Sequence, residues 1–402
     1  MSTPAVPIPP DRPVVLNLGM GVDSSAIATR WLLEPHTRGF HLGQLTVLIA
    51  SVGEEYRATK DAMEEALFPL LAEHRVRTVQ VARAGQTSRD GYVTLSDTRT
   101  PTRLVTDVPV TLGERMLSVG TVPQVSSTNR SCSDWIKHHA LDSWLADNVA
   151  DAPFTHCIGY NADETRRAER DLDHTKGNRI PDFPLLRWNW TRRTAADYLR
   201  TALGREISRS ACFFCPFQGS VGGRAALLAR WRAEPEAALR ALLIEHNALV
   251  MNGNAALFGS RAARDVVEEA GLHDILDRHH DQVRQSPWSV YEVRRVFRAR
   301  DGDPTRKGQA YRSVAPLATG RRRDMIAHLD HLSARYGCTP ATDRHGITRA
   351  HLLSRHPSLY PTAEHFLAAG PALTQAKARD CFDDLFAAVT GGAPVIAALH
   401  AA

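Results

Sequence analysis

Short apolar, β-branched runs alternate with stretches of helical spacing from residue 14 to about 220. The run "VVLNL" delivers the loop "LNLGMGVDSS" (16–25), and "SAIATRWLLE" then places apolar groups at helical intervals, so this region reads as strand, loop and helix. Further strand-like runs are "LTVLIAS" (45–51), "RTVQVA" (77–82) and "FTHCIGY" (154–160), with a helix expected over roughly 56–74. Such alternation predicts a parallel sheet flanked by helices, an α/β fold whose ligands sit beyond the carboxyl ends of the strands. Residues 85–128, rich in Thr, Ser, Pro and Gly, read as an insertion of loops and short strands near that end, placed to form a lid.

Beyond "CPFQGS" (215–220) the texture changes to Ala, Arg, Leu and Glu at helical spacing, as in "AALLARWRAEPEAALRALLIEHNALV". Further helices are expected over 260–272, 288–299, 322–335 and 372–389, with almost no strand signal. The expected organisation is a flexible segment over 1–13, a nucleotide-binding α/β domain over 14–220 and a mainly helical C-terminal domain over 221–402 that recognises substrate. No internal repeat interrupts it.

At 402 residues with 43% hydrophobic content, the chain has room for two domains and a sizeable core. "MSTPAVPIPPDRP" carries prolines but no apolar core of a signal peptide, and no run reaches the roughly 18 apolar residues of a membrane span. A cytoplasmic protein without a membrane partner is expected, in which six cysteines are poor grounds for disulfides. A net charge of +5 leans toward polyanionic partners. The arginine clusters "RRVFRAR" (294–300), "RKGQAYR" (306–312) and "GRRRD" (320–324) are either solvated helix faces or a nucleic-acid surface.

Six stretches carry candidate chemistry. In the opening loop, Gly19 and Gly21 free backbone amides beside the hydroxyls of Ser24 and Ser25, at the start of a helix. Without Gly-Lys-Ser/Thr or a third glycine, this is neither a P-loop nor a dinucleotide fingerprint; it is a phosphate cradle or a tight turn with a helix cap. Glu54 and Glu55, beside Gly53, stand where a carboxylate bonds a ribose or a metal, or where it merely favours the next helix. "NRSCSDWIK" sets Cys132 between Arg130 and Lys137, and "SACFFCPF" gives Cys212 and Cys215 a C-x-x-C spacing. Those three thiols suit zinc, with His138 or His139 as a fourth ligand, or an iron-sulfur cluster. Cys157, Cys338 and Cys381 are unclustered. "GYNADETRR" (159–167) brings Arg166 and Arg167 to the same strand edge, to meet phosphates or to line a surface loop. Trp188 and Trp190 either stack a base or pack the core.

In this order the motifs resemble those of the phosphoadenosine phosphosulfate reductase family, within the adenine nucleotide alpha-hydrolase (PP-loop) superfamily. That family's Ser-Gly-Gly-x-Asp-Ser loop is similar to Gly19, Met20, Gly21, Val22, Asp23 and Ser24, with departures at the first two positions. Its Asp-Thr-Gly-x-Glu signature and following Thr are similar to Ser51, Val52, Gly53, Glu55 and Thr59, the leading acid being absent. Arg130, Cys132 and Lys137 match its Arg-x-Cys-x-x-x-x-Lys element, and Gly159, Glu164 and Arg167 its Gly-x-x-x-x-Glu-x-x-Arg element. "FPLLRWNWTRRTAADYL" followed by "RSACFFCPF" resembles the close of the catalytic domain in the cluster-bearing subgroup.

The resemblance, over about residues 14–220, implies a Rossmann-like nucleotide-binding fold. It also implies ATP with Mg2+ held at Gly19, Gly21, Val22, Asp23, Ser24, Ser25, Gly53, Glu55, Gly159 and Glu164. Asp23, Arg130, Lys137 and Arg167 would be catalytic, and Cys132, Cys212 and Cys215 would hold a 4Fe-4S cluster. Neither "YGCTP" nor "RDCFDD" supplies the terminal Glu-Cys-Gly-x-His setting of a sulfonucleotide reductase. The expected function is therefore an ATP-dependent, adenylating sulfur transfer to tRNA, DNA or a nucleotide-like acceptor, with a sulfur donor such as a cysteine desulfurase. The alternatives are a sulfonucleotide reductase and a nucleic-acid-binding module with a degenerate catalytic domain.

Overall fold

A computed structural model of the protein describes residues 7–124, 130–219 and 222–392. The chain divides into two compact units, Met1–Leu112 with Ser126–Cys215 and Gly113–Val125 with Pro216–Ala402.

The first unit is built on a six-stranded sheet of β1 (Val14–Asn17), β2 (Leu45–Ala50), β3 (Arg77–Arg83), β4 (Tyr92–Thr98), β5 (Phe154–Cys157) and β6 (Arg179–Asp182). Their order is β4-β3-β2-β1-β5-β6; all neighbours are parallel except β3 and β4. Parallel strands covered on both faces need continuous apolar runs, and β2, "LTVLIA", is buried at every position. Leu16, Ile27, Trp31, Phe68 and Leu199 belong to one core cluster of this unit, and Val15, Leu48, Val79, Leu141 and Trp144 to another. Arg30 is buried, with its guanidinium 4.4 Å from the centroids of both Trp188 and Trp190 and its Nε 3.2 Å from Glu34. The two tryptophans thus pack against the core.

The insertion beginning at residue 85 supplies β4 as an antiparallel edge strand, and its residues 125–128 lie outside the described residues. Pro7–Pro13 is fastened as well: Ile8 N donates to Gly39 O (2.7 Å), and Gln44 Nε2 donates to Pro9 O and Arg12 O (both 2.8 Å).

The second unit corrects the sequence reading of a mainly helical domain. It is α+β, with a five-stranded antiparallel sheet of β7 (Trp288–Arg300), β8 (Asp303–Gly320), β9 (Ala341–Thr342), β10 (Thr348–Leu353) and β11 (Thr362–Pro371) in the order β8-β7-β11-β10-β9. The expected helix 288–299 is β7. Val290, Tyr291, Val293, Val296 and Phe297 are strand formers, and every position from Trp288 to Arg294 is buried. Burial on both faces removes the alternation that would have marked it, and its charged residues read as a solvated face only while their partners are unseen. Glu292 pairs with His365 (2.8 Å) and Arg295 with Glu364 (2.6 Å) inside the sheet. The cluster "RRVFRAR" is therefore largely strand interior, and "RKGQAYR" lies on β8.

Helices do occupy Arg224–Ala233, Pro235–Met251, Ala263–Glu269, His273–Gln285, Arg322–Arg335 and Phe382–Thr390. Residues 113–124 are stitched into this unit by Asn247 Nδ2, which donates to Leu117 O (2.8 Å), and by Arg312, which donates to Gly120 O (2.9 Å) and Val119 O (2.5 Å). Among the described residues, no helix is long and apolar enough to cross a membrane.

Candidate functional site

In the first unit the chain leaves β1 toward β2 on one side and returns to β5 on the other, so the order of strands reverses at β1. Crevices outside the carboxyl ends of strands at such a reversal are where open parallel sheets bind ligands. Four sequence-predicted segments end there.

Leu18 N still donates to Leu48 O (2.8 Å), after which the chain turns through Met20, whose φ of 59° lies in the left-handed region. Gly21 then caps the helix Val22–Leu33 with an extended backbone and no side-chain cap, leaving first-turn amides and the helix dipole facing the crevice. Gly19 N donates to Ser24 Oγ (3.0 Å). A Cβ on Gly21 would stand 2.9 Å from Ser210 Oγ and 3.0 Å from Ser210 N; one on Gly159 would stand 3.0 Å from Ser24 N. These two glycines let the 159 and 210 segments close on the helix end.

Asp23 accepts from Asn161 Nδ2 (3.0 Å) and from Arg192 Nε and Nη2 (3.0 and 2.8 Å). Arg192 Nη2 also lies 3.4 Å from Glu164 Oε2, and Glu164 Oε1 accepts from Arg167 Nη1 (2.6 Å). Burial works against the charge on Arg192, but the bonds to Asp23 and the field of Glu164 outweigh it and hold its pKa above the usual value. Burial lowers the pKa of Arg130; Arg167 and Arg209 lower it further, while Cys215 and Glu164 oppose them. The Arg130 guanidinium therefore stands in the field of two others.

Glu55, on the loop after β2, is pushed toward its neutral form by burial, against the pull of a bond from Val52 N (2.7 Å) and of Lys137. Its second oxygen is buried without a partner, as are Asn17 Oδ1, Ser25 Oγ and Ser51 Oγ. All four belong to the ends of β1 and β2 or the helix that follows β1. Each such atom costs about 1–3 kcal/mol unless a ligand or water meets it. Gly53 has φ +72°, and a Cβ there would meet Thr111 Cγ2 at 2.6 Å.

The segment of the C-x-x-C is pinned beside Glu55: Glu55 and Cys212 form a β-bridge, Phe213 N donates to Glu54 O (3.3 Å), and Cys215 N closes a turn on Cys212 O (3.1 Å). Burial raises the Cys212 thiol pKa, Lys137 opposes this, and Cys215, Glu55 and Cys132 raise it further. Burial and Cys215 likewise raise that of Cys132. Lys137 sits in a π-helical turn, Asp134–His138, of the kind that often marks functional positions.

The donors suit a soft metal group in chemistry: three free thiols in one another's field, whose mutual repulsion a cation would relieve. Among the described residues, however, no three His, Cys, Asp or Glu side chains are gathered as a ligand set. His138, a candidate fourth ligand, pairs instead with Asp134 (2.9 Å). Cys157 is fully buried on β5, as its strand position predicts.

Sequence reasoning missed Asn161, Arg192, Arg209 and Ser210. Arg192 carried a usable signal, because Thr191 caps its helix (Thr194 N to Thr191 Oγ1, 3.2 Å) and so fixes Arg192 at the first helical position. Compared with models of known protein families and with curated proteins, the chain matches none.

Proposed function

We propose that the first unit binds ATP, as its magnesium salt, and transfers its adenylyl group to an acceptor oxygen in preparation for sulfur transfer. The carrying observation is the start of helix Val22–Leu33 at the strand reversal, which no side chain caps, with Arg192 bonded to Asp23 on its first turn and Arg130 in the field of Arg167 and Arg209. Amide donors and guanidinium groups of this density match a triphosphate, whose charge no single cation neutralises.

In this reading the phosphates rest on the amides of Gly21, Val22, Asp23 and Ser24 and on the Ser25 hydroxyl. Glu55 and Gly53 face the ribose, and Gly159 and Glu164 back the loop. The acceptor oxygen attacks the α-phosphorus, the bond to the β-phosphate oxygen breaks, and pyrophosphate leaves. Lys137, Arg130 and Arg167 stabilise the negative charge that grows on the phosphoryl and leaving oxygens. Asp23 holds Arg192 and Asn161 in place for the same phosphates. The adenylated carbon is then open to a sulfur nucleophile from a separate donor such as a cysteine desulfurase, with AMP leaving. Cys132, Cys212 and Cys215 would hold an iron-sulfur cluster, which when bound supplies sulfur-handling and electron-transfer chemistry. The resemblance of the motifs, together with the net charge of +5, favours tRNA or DNA as acceptor.

Two measurements test this reading. ATP binding by equilibrium dialysis should weaken about tenfold in Arg192→Ala, a loss of roughly 1.4 kcal/mol, and iron with acid-labile sulfide should fall in Cys212→Ala while ATP binding persists. An Arg192→Ala protein that binds ATP as the parent does would overturn the nucleotide assignment. Anaerobically purified parent protein without iron would remove the cluster and leave a plain adenylating enzyme.

A further inference from the structure

The second unit contains a cavity of about 350 Å³ that the nucleotide reading leaves unused. The long helix Pro235–Met251 lines it with Leu242, Glu245, His246 and Leu249, positions three and four apart that share one face. The facing helix, His273–Gln285, adds His279, His280, Val283 and Arg284. Arg264, Trp288, Arg322 and His345 line it as well.

Two polar groups of the wall are not satisfied by the fold. His246 Nε2 and His279 Nδ1 are buried without a hydrogen-bond partner, and the two rings meet edge to face at 5.7 Å. Burial, aided by Arg264 for His246 and by His246 itself for His279, lowers their pKa values to about 4 and about 3, so both rings are neutral at neutral pH. A neutral imidazole offers one donor and one acceptor, the complement of a neutral heterocycle's edge. Glu245 is occupied: its carboxylate accepts from Leu257 N (2.8 Å), Ala263 N (2.6 Å) and Arg264 N (3.2 Å).

The other walls ask for different chemistry. Arg264, Arg284 and Arg322 give the cavity three cations; Arg284 pairs with the exposed Asp281 (2.8 Å), and Arg264 donates to His345 O (3.4 Å). The Arg322 guanidinium lies 5.0 Å from the Trp288 ring centroid, an aromatic and guanidinium tier of the kind on which bases stack. Leu242, Leu249 and Val283 complete an apolar side. The volume falls at the lower end of the roughly 300–1,000 Å³ of small-ligand sites.

We propose that this cavity is a second ligand site, which takes one phosphorylated nucleobase. The base lies by the Trp288 and Arg322 tier with its edge on the imidazoles, and the phosphate meets Arg264 and Arg284. A free nucleoside monophosphate and the terminal nucleotide of a nucleic-acid chain share this chemistry. The site stands on the second unit's own residues and does not depend on the adenylation reading.

Calorimetric titration of the full chain with AMP tests it, beside ribose 5-phosphate and a 5′-phosphorylated dinucleotide. Arg322→Glu, at an exposed position, should weaken one AMP binding event at least tenfold without moving the melting temperature, and Arg284→Glu should do likewise. Arg192→Ala, in the first unit, should leave that event intact. Tighter binding of the dinucleotide than of AMP would identify a chain end as the natural occupant; tighter AMP, a free nucleotide. The proposal falls if no AMP event survives in Arg192→Ala, if neither charge reversal alters the event, or if ribose 5-phosphate binds as tightly as AMP.

Discussion

Two sets of buried polar groups, one in each sheet, are treated differently. At the carboxyl edge of the parallel sheet, Asn17, Ser25, Ser51 and Glu55 each bring a buried polar atom that no protein group meets. Within the antiparallel sheet, Glu292 and His365 bond each other at 2.8 Å, and Arg295 bonds Glu364 at 2.6 Å. Polar groups of the second kind serve the fold, since each of these buried charges or imidazoles meets a partner across the sheet. Those of the first kind are left open to a ligand or water.

The largest effect follows from that pairing. Glu292→Ala leaves the almost fully buried His365 without its carboxylate and should destabilise the second unit by about 3–5 kcal/mol, read as a shift in denaturant midpoint. Ser51→Ala, which removes an unpartnered buried hydroxyl at the parallel edge, should leave stability unchanged or raise it by up to about 1–3 kcal/mol, and instead weaken ATP binding. Equal destabilisation by the two substitutions would erase the contrast.

Acid sharpens it within the second unit. His246 and His279 have folded pKa values of about 4 and about 3, below the ordinary imidazole value of about 6.5, so the unfolded chain binds more protons as pH falls and stability declines. Glu245, raised to about 7 by burial despite three backbone bonds, acts the other way: its contribution is full below the ordinary carboxylate pKa and lost as pH rises through about 7. Two histidines outweigh one glutamate between about pH 6.5 and 4.5, so a net loss on the order of 2 kcal/mol is expected there. Hydrogen exchange of amides in Pro235–Met251 and His273–Gln285 at the two pH values measures it.

These contrasts explain what was legible in the sequence. The parallel sheet announced itself because "VVLNL" and "LTVLIAS" are apolar at most positions, and the loops that follow carry glycines and polar residues at the strand ends. Gly21, Gly53 and Gly159 could be placed at the site for that reason. In β7, by contrast, Arg295 and Glu292 are matched by residues some 70 positions away on β11, and no local pattern reveals such partners. Arg192 and Asn161 were missed for the same reason, since their bonds to Asp23 cross 169 and 138 residues.

Gly159→Ala should act at the site with a smaller effect than Arg192→Ala. Its Cβ would meet Ser24 N at 3.0 Å, so the helix start must shift by a few tenths of an ångström. A loss of ATP affinity of about three- to fivefold, under 1 kcal/mol, is expected with the melting temperature nearly unchanged.

The smallest difference separates two substitutions at Met20, where the resembled family's pattern has glycine. Its φ of 59° carries a strain of about 1–2 kcal/mol for a residue with a Cβ, yet its side chain is buried in the first unit's core, which is worth roughly 1.5–3 kcal/mol. Met20→Ala keeps the strain and loses the packing; Met20→Gly loses the packing but releases the strain, at the expense of a more flexible unfolded chain. Both variants should be less stable than the parent, with Met20→Gly the better of the two by under about 1 kcal/mol. If Met20→Ala proves the more stable, the left-handed turn carries no strain, and the departure from glycine at this position needs no compensating core contact. If Met20→Gly exceeds the parent, the packing is the weaker force, and the loop is held by its amides and by Ser24 rather than by the methionine beneath it.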